Sequence, residues 1–373
     1  MKLLVNVARF LVGGLFIFSG LVKAIDPLGL GYKMQEFFEA WADNGFLPQL
    51  MNSLHGQALF FSIVMITLEI VLGVALLIGW KKNTVLTLLL LLTLFFTFLT
   101  GYVLFSGKIR ACGCFGDCIP LTPLQTFSKD IILLLLIILL IFCRKYIRPI
   151  ITGLAAALTI LASIAAATFL QFYVLKHLPV KDCLPYKKGN NILELRKMPA
   201  GAIPDEYDYV FVYEKNGEKK DFTTSNLPDS TWKFSERKQK LIKQGVNNTP
   251  AINDFALVDS AGADVTEAVL SQPGAYYLFF LQNMNEGSNR WFTAFSNLYQ
   301  KAKQQGKPIY IVTSDKEKVN DFFNVKNSYN LPVLTSDATA IKTAARANPT
   351  LFVMKGPVVQ DKFSWADIDK AYR

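Results

Sequence analysis

The chain has 373 residues, 51% of them hydrophobic, with 39 Lys and Arg against 29 Asp and Glu, a formal charge of +10. No Arg/Lys stripe with interleaved aromatics appears, which argues against a nucleic-acid surface and points the positive charge toward anionic lipid. Five cysteines and two histidines are too few for a disulfide-dense scaffold.

The long apolar runs fall almost entirely in residues 1–176, which carry 13 basic and seven acidic residues, against 26 and 22 in the remainder. Five runs are long enough to span a hydrocarbon core, which takes about 20 apolar residues as helix: 4–23, 58–80, 84–106, 123–147 and 150–175. The first lacks a small-x-small cleavage site around Ser19-Gly20-Leu21 and reads as an uncleaved signal anchor. Between the first two runs, Met34, Phe37, Phe38 and Trp41 recur at helical spacing among Glu36, Glu39 and Asp43, as in a helix lying in the interface. The fourth run has only 13 strongly apolar residues, Ile131 to Cys143, but Thr122-Pro123-Leu124-Gln125 is a capping-box pattern that starts the helix earlier.

Two charges stand out within these spans, Glu69 near the middle of the second and Arg9 a turn into the first. A bare carboxylate at bilayer depth is costly, so Glu69 is expected to face the bundle, with Arg9 as the long cation able to reach it. Such a pair either fixes helix register or marks a proton or ligand site.

Orientation follows from the loops. Lys81-Lys82 and the Arg144-Lys145-Arg148 cluster occupy two very short connections, and Lys2 lies at the amino end. The positive-inside rule puts these in the cytoplasm and the C-terminal half outside, in the periplasm of a bacterial inner membrane. Lys108, Arg110 and Lys129 count against that assignment. Cys112, Cys114, Cys118 and Cys183 then share an oxidising compartment, and Cys143 reads as a packing residue near the cytoplasmic end. Three of the four outer cysteines form Cys112-Gly113-Cys114-Phe115-Gly116-Asp117-Cys118, in which the glycines allow the sulfurs to approach.

These residues together resemble a known group. Arg9, the stretch Phe16-Ile17-Phe18-Ser19-Gly20-Leu21-Val22-Lys23-Ala24-Ile25-Asp26-Pro27, and Glu69 followed by Gly73 look like the DoxX/MauE family of small membrane proteins. Cys112-Gly113-Cys114-Phe115-Gly116 resembles the cysteine signature of its methylamine-utilisation MauE branch. The resemblance covers about the first 150 residues. It implies an inner-membrane protein tied to disulfide handling or to maturation of exported proteins, with a distant functional analogy to vitamin K epoxide reductase. A membrane quinone as electron carrier enters only through that analogy. The fifth span and the long extension depart from the minimal family pattern.

Residues 177–247 read as an extracytoplasmic linker. Tyr209–Tyr213 and Lys219–Thr223 flank Asn216-Gly217, a hairpin signal. Cys183 follows the fifth span closely enough to reach the 112–118 loop. From residue 248 the order is α/β: a small hairpin over 253–265, a strand at 275–281, a helix at 291–304, a strand at 308–313, a helix at 316–323, and a closing hairpin at 350–354 and 358–363 before a last helix. This order resembles the thioredoxin-like group, with Asn348-Pro349 standing where that fold carries its cis-proline. Where that group's C-x-x-C opens a helix, the chain reads Gln282-Asn283-Met284-Asn285-Glu286-Gly287-Ser288-Asn289, without cysteine.

The expected architecture is therefore a polytopic α-helical membrane bundle over 1–176, the linker over 177–247, and a thioredoxin-like domain over 248–373. Two functions compete. In one, Cys112, Cys114 and Cys118 cycle between dithiol and disulfide, Lys108 and Arg110 favour the thiolate, and Cys183 passes electrons to a thiol-redox partner or an exported protein. In the other, the outer cysteines form two permanent disulfides in a scaffold whose thioredoxin-like domain binds a client. A four-thiolate metal site is disfavoured by the tight C-x-C-x₃-C spacing.

Overall fold

The computed structural model describes residues 1–106, 109, 115–215, 217–223, 226–243, 245, 247–284 and 289–372. Among them, five helices are long and apolar enough to cross a membrane: α1 (Lys2–Ala24), α4 (Ala58–Ile78), α5 (Lys82–Ser106), α6 (Pro123–Phe142) and α7 (Gly153–His177). The chain is a multi-pass membrane protein. The five expected spans coincide with these helices, with one difference at the fourth. It ends at Phe142, and Arg144–Tyr146 form a separate 3-10 turn. Its 20 residues still reach about 30 Å at 1.5 Å per residue. The start follows the sequence pattern: Thr122 and Gln125 form a reciprocal capping box, with Pro123 as the first helical residue.

Between α1 and α4, two helices lie across the end of the bundle, α2 (Pro27–Asp43) and α3 (Pro48–His55). Asp26 caps α2 through the Gly29 amide, so the helix begins at Pro27, well before Met34. Its Met34, Phe37 and Phe38 are buried against Phe61, Met65 and Phe96 of α4 and α5.

The tightest crossing joins α1 and α4. A Cβ added to Gly73 would lie 2.8 Å from the Gly13 carbonyl oxygen, and one on Gly20 would lie 2.5 Å from Ile70. Small residues at such positions let helix backbones approach where lipid gives no hydrophobic drive to association. Cys143 is buried among the apolar residues of α1, α4, α5 and α6, in line with its expected packing role.

Beyond α7 and the one-turn α8 (Ile192–Leu195) comes a three-stranded antiparallel sheet of β1 (Glu206–Lys215), β2 (Glu218–Thr223) and β3 (Lys233–Lys243), in the order β2-β1-β3. The hairpin over 209–223 is present, with Gly217 at φ 83°; Asn216 lies outside the described residues. The expected hairpin at 253–265 is reduced to isolated bridges of Val258 with Asp264 and Thr335.

The remaining elements are α9 (Thr266–Leu270), β4 (Ala275–Leu281), α10 (Phe292–Gln304), β5 (Ile309–Thr313), α11 (Lys316–Asn320), β6 (Val333–Thr335), α12 (Ala338–Ala344), β7 (Thr350–Lys355) and β8 (Val358–Ser364). The sheet order is β6-β5-β4-β7-β8, with β4, β5 and β6 parallel and β7 and β8 antiparallel. Strand β4 is buried on both faces. Tyr277, Phe279 and Leu281 point to α10 and α11, while Tyr276, Leu278 and Phe280 point to α9 and α12. With the cis Asn348–Pro349 peptide leading into β7, this is a thioredoxin-like α/β layer structure. The last expected helix is a short 3-10 segment, Ile368–Tyr372.

Gly73→Ala is expected to destabilise the bundle by about 1–3 kcal/mol, because its Cβ would press on the Gly13 carbonyl and the Ile17 amide nitrogen as well as on the Ile17 side chain, and backbone cannot step aside. Gly14→Ala, with nothing within 4 Å of the added carbon, should be neutral or stabilising. Thermal melts of the two variants in one detergent check the pair.

Candidate functional site at the membrane edge

The sequence singled out Glu69, and the bundle gives it a different partner from the expected one. Lys23, at the last turn of α1, places Nζ 2.5 Å from Glu69 Oε1, both side chains about 2% exposed. Lys23 also lies over the Phe96 ring, 4.6 Å from its centre. Arg9 does not pair with Glu69. Its guanidinium donates to the carbonyls of Leu76 (2.8 Å) and Leu77 (2.6 Å), acceptors left open at the end of α4, and of Arg148 (3.0 Å) in the connection before α7. The reason is direction: α1 and α4 run antiparallel, so position 9 meets the end of α4. Residues 69 and 76 are separated by about 10 Å along the axis at 1.5 Å per residue.

A second pair faces the first. Lys129 lies 2.5 Å from Asp130 Oδ1, and the Thr100 hydroxyl donates to Asp130 Oδ2 at 3.0 Å. Asp130 is buried, while Lys129 is partly exposed and lies 5.0 Å from the centre of the Phe115 ring. Leu15, Phe16, Ser19, Lys23, Glu69, Thr93, Phe96, Phe115, Lys129, Asp130 and Leu133 line a small, partly open chamber of about 20 Å³ between α1, α4, α5 and α6. Glu69 Oε2 and Thr93 Oγ1 are buried without a protein hydrogen-bond partner among the described residues. The rule that flagged Glu69, a charge within a span, also applies to Asp130 and to Lys23; both were overlooked as members of the site.

Phe115 ties this chamber to the cysteine loop. Cys112 and Cys114, with Lys108 and Arg110, lie outside the described residues. Cys118 is disulfide-bonded to Cys183, so the expected reach of Cys183 to this loop is realised at one cysteine. Each half of the disulfide follows an aspartate held by a cation of the thioredoxin-like region. Asp117 accepts from Arg346 Nη2 at 2.8 Å, and Asp182 accepts from Lys362 at 2.7 Å. Arg346 Nε also donates to Asp26 at 2.8 Å, and its guanidinium lies over the Tyr32 ring.

These contacts come from the edge where a thioredoxin fold ordinarily carries its dithiol. Gln282, just after β4, bonds to the Ala345 carbonyl and meets the Tyr32 hydroxyl at 3.3 Å. Arg346 precedes the cis-proline by three residues. Burial works to lower the Arg346 pKa, but the Asp26 and Asp117 carboxylates outweigh it and hold the guanidinium above its ordinary value. Burial pushes Lys362 below its usual range, partly offset by Asp182. A further contact, His177 Nδ1 to Asp367 Oδ2 at 2.8 Å, fixes the end of α7 against the C-terminal segment.

Residues 1–143 match the family model of methylamine utilisation protein MauE. The match covers α1 to α6 and includes the chamber, the cysteine loop and Cys143. Residues 207–244, the three-stranded sheet, match a domain of unknown function, DUF8463. A curated relative, Protein TlpB of Flavobacterium psychrophilum, is 35% identical over 86 residues. That stretch is 22% of this chain and 23% of the relative, so the likeness spans less than a quarter of TlpB. Among solved structures, a thio-disulfide isomerase from Thermus thermophilus is similar at 22% identity, over 30% of this chain and 82% of that one, with a TM-score of 0.24. The MauE-like region thus carries the chamber and the cysteine loop, and the thioredoxin-like region supplies the two cations.

Arg346→Ala removes the partner of two carboxylates, one partly buried and one largely exposed, a change that costs about 1–3 kcal/mol. Faster amide hydrogen exchange in α2 and α12, with β4 and β5 unchanged, is the expected signature. Arg346→Lys should be intermediate, since a point charge cannot span both carboxylates.

Proposed function

We propose that this chain is a membrane-bound thiol–disulfide redox protein working at the outer face of a bacterial inner membrane. The amino terminus is cytoplasmic and residues 178–373 are periplasmic. Cys112 and Cys114 are the exchanging pair, serving a thiol-redox partner or an exported protein. The observation that carries this reading is the Cys118–Cys183 disulfide. It takes two of the four outer cysteines and binds the cysteine loop to the thioredoxin-like region. That leaves the C-x-C pair for exchange.

The thioredoxin-like region has no cysteine to react with and holds the loop in place. The assignment to the wider DoxX group and the division at residues 176 and 247 belong to the same proposal. The cysteine-free stretch 282–289 also favours a second reading, a non-catalytic scaffold that uses this face to hold a client.

Mass mapping after mild dithiol treatment separates the two. Under the redox reading, Cys112 and Cys114 are freed in the folded protein, and Cys114→Ser traps a mixed disulfide with a partner. The Cys118–Cys183 bond resists under both readings, and its loss should lower stability by about 2–5 kcal/mol. Inert cysteines throughout would favour the scaffold.

The orientation has its own test. A reporter active only in the cytoplasm, fused after Arg373, should stay silent, while the same reporter after Lys82 should be active.

A further inference from the structure

Between α4 and α5 the bundle has a second, larger opening, separate from the chamber at Glu69. The two helices are joined by the short connection 79–81, and farther along they stand apart around a partly open crevice of about 500 Å³. Met65, Leu68 and Leu72 of α4 form one wall, and Leu88, Leu91 and Phe95 of α5 form the other. Helices α2 and α3 roof it with Met34, Phe38, Trp41, Met51 and Leu54. Among the described residues that line it, none carries a charge, a hydroxyl or an amide side chain.

The position of the crevice decides which medium fills it. Leu68, Leu88 and Leu91 belong to membrane-spanning helices and are 39%, 40% and 57% exposed, so the mouth opens on hydrocarbon. At the roof, Met34, Phe38 and Met51 are buried. An apolar recess does not take up water, and lipid chains are as apolar as its leucines. The crevice is therefore continuous with the lipid-facing surface of the bundle, and it reaches beneath α2 and α3.

We propose that this recess binds one acyl chain of a membrane phospholipid, and that the bound chain supports α3. Nothing in the lining selects a particular head group, so occupancy follows abundance, and the bilayer supplies acyl chains in the greatest excess. The flexible, unbranched side chains of Met34, Met51 and Met65 let the recess adapt to a chain that is itself flexible.

Helix α3 shows why the chain matters. It is eight residues long, has no side-chain cap at its start, and buries Met51 alone. Met51 and Leu54, which it turns toward the bundle, both line the recess. A helix that short is marginal unless its apolar face is packed. With the recess filled, that face rests on hydrocarbon as well as on α2. With the recess empty, the dispersion contacts on one side are lost.

The test uses the full-length protein extracted in cholate, whose rigid ring system offers no straight chain to fill the recess. Mass spectrometry should find phospholipid retained in equal proportion to protein. Leu91→Trp, at the exposed mouth, should lower that retention roughly 10-fold, while Leu135→Trp, on an exposed position of α6, should leave it unchanged. Amide exchange in α3 should be about 10-fold faster once excess cholate has stripped the lipid, with β4 unaffected. Adding dioleoylphosphatidylglycerol should restore the first rate. Equal retention by wild type and Leu91→Trp, or exchange in α3 that does not respond to stripping, overturns the inference. Recovery of an isoprenoid lipid in place of phospholipid overturns the acyl assignment. If Leu91→Trp fails to fold, stripping and re-addition on the wild type decide the matter alone. Neither readout involves a cysteine, so both are independent of the redox reading.

Discussion

A charge inside hydrocarbon has no water to turn to, and that single constraint orders the membrane half of this protein. Arg9 meets it by donating to three backbone carbonyls, two of them at the end of α4. Lys23 and Glu69 meet it by pairing across α1 and α4, and Asp130 meets it through Lys129 and Thr100. Each solution also fixes which helix faces which, so the electrostatics and the packing agree. The glycines at 13, 20 and 73 bring α1 and α4 close, and Lys23 at the end of α1 completes the pair with Glu69.

The same logic governs the docked α/β region in a wetter setting. Arg346 and Lys362 are both buried on the membrane-facing side and are matched by Asp26, Asp117 and Asp182. A thioredoxin-like fold offers a ready surface at its cis-proline edge, where strand ends and loops leave backbone and side chains available. Here that surface binds the protein's own cysteine loop and the start of α2. The fold contributes shape and charge at this place, and the membrane half contributes the sulfur.

Much of this was legible in the sequence because the signals were periodic or chemically forced. The five spans, the capping box at Thr122, the buried strand 275–281 and the closing hairpin all follow from hydrophobic runs and turn residues. What escaped detection was short, polar or relational. Strand β3, Lys-Phe-Ser-Glu-Arg-Lys-Gln-Lys-Leu-Ile-Lys, has no apolar alternation and is a strand only because β1 pairs with it. Helix α12 is only seven residues long, with Asp337 as its cap being the one local clue. The partner of Glu69 depended on the antiparallel register of α1 and α4, which no single segment contains.

The Cys118–Cys183 bond closes a loop of 65 residues that contains α6, the short turn at its far end, and α7. Two covalent routes therefore join the extramembrane region to the bundle, one along α7 and one through sulfur. A tug on the carboxyl terminus is shared between them before it reaches the lipid-facing contacts of α7, whose Leu154, Leu158, Leu161, Phe169 and Phe172 point outward. A protease that cut the connection between α6 and α7 would not free the outer half, because both ends of that hairpin remain sewn together. The docked face is thus kept at high local concentration beside its loop by mechanical tethering, whatever the strength of the ion pairs.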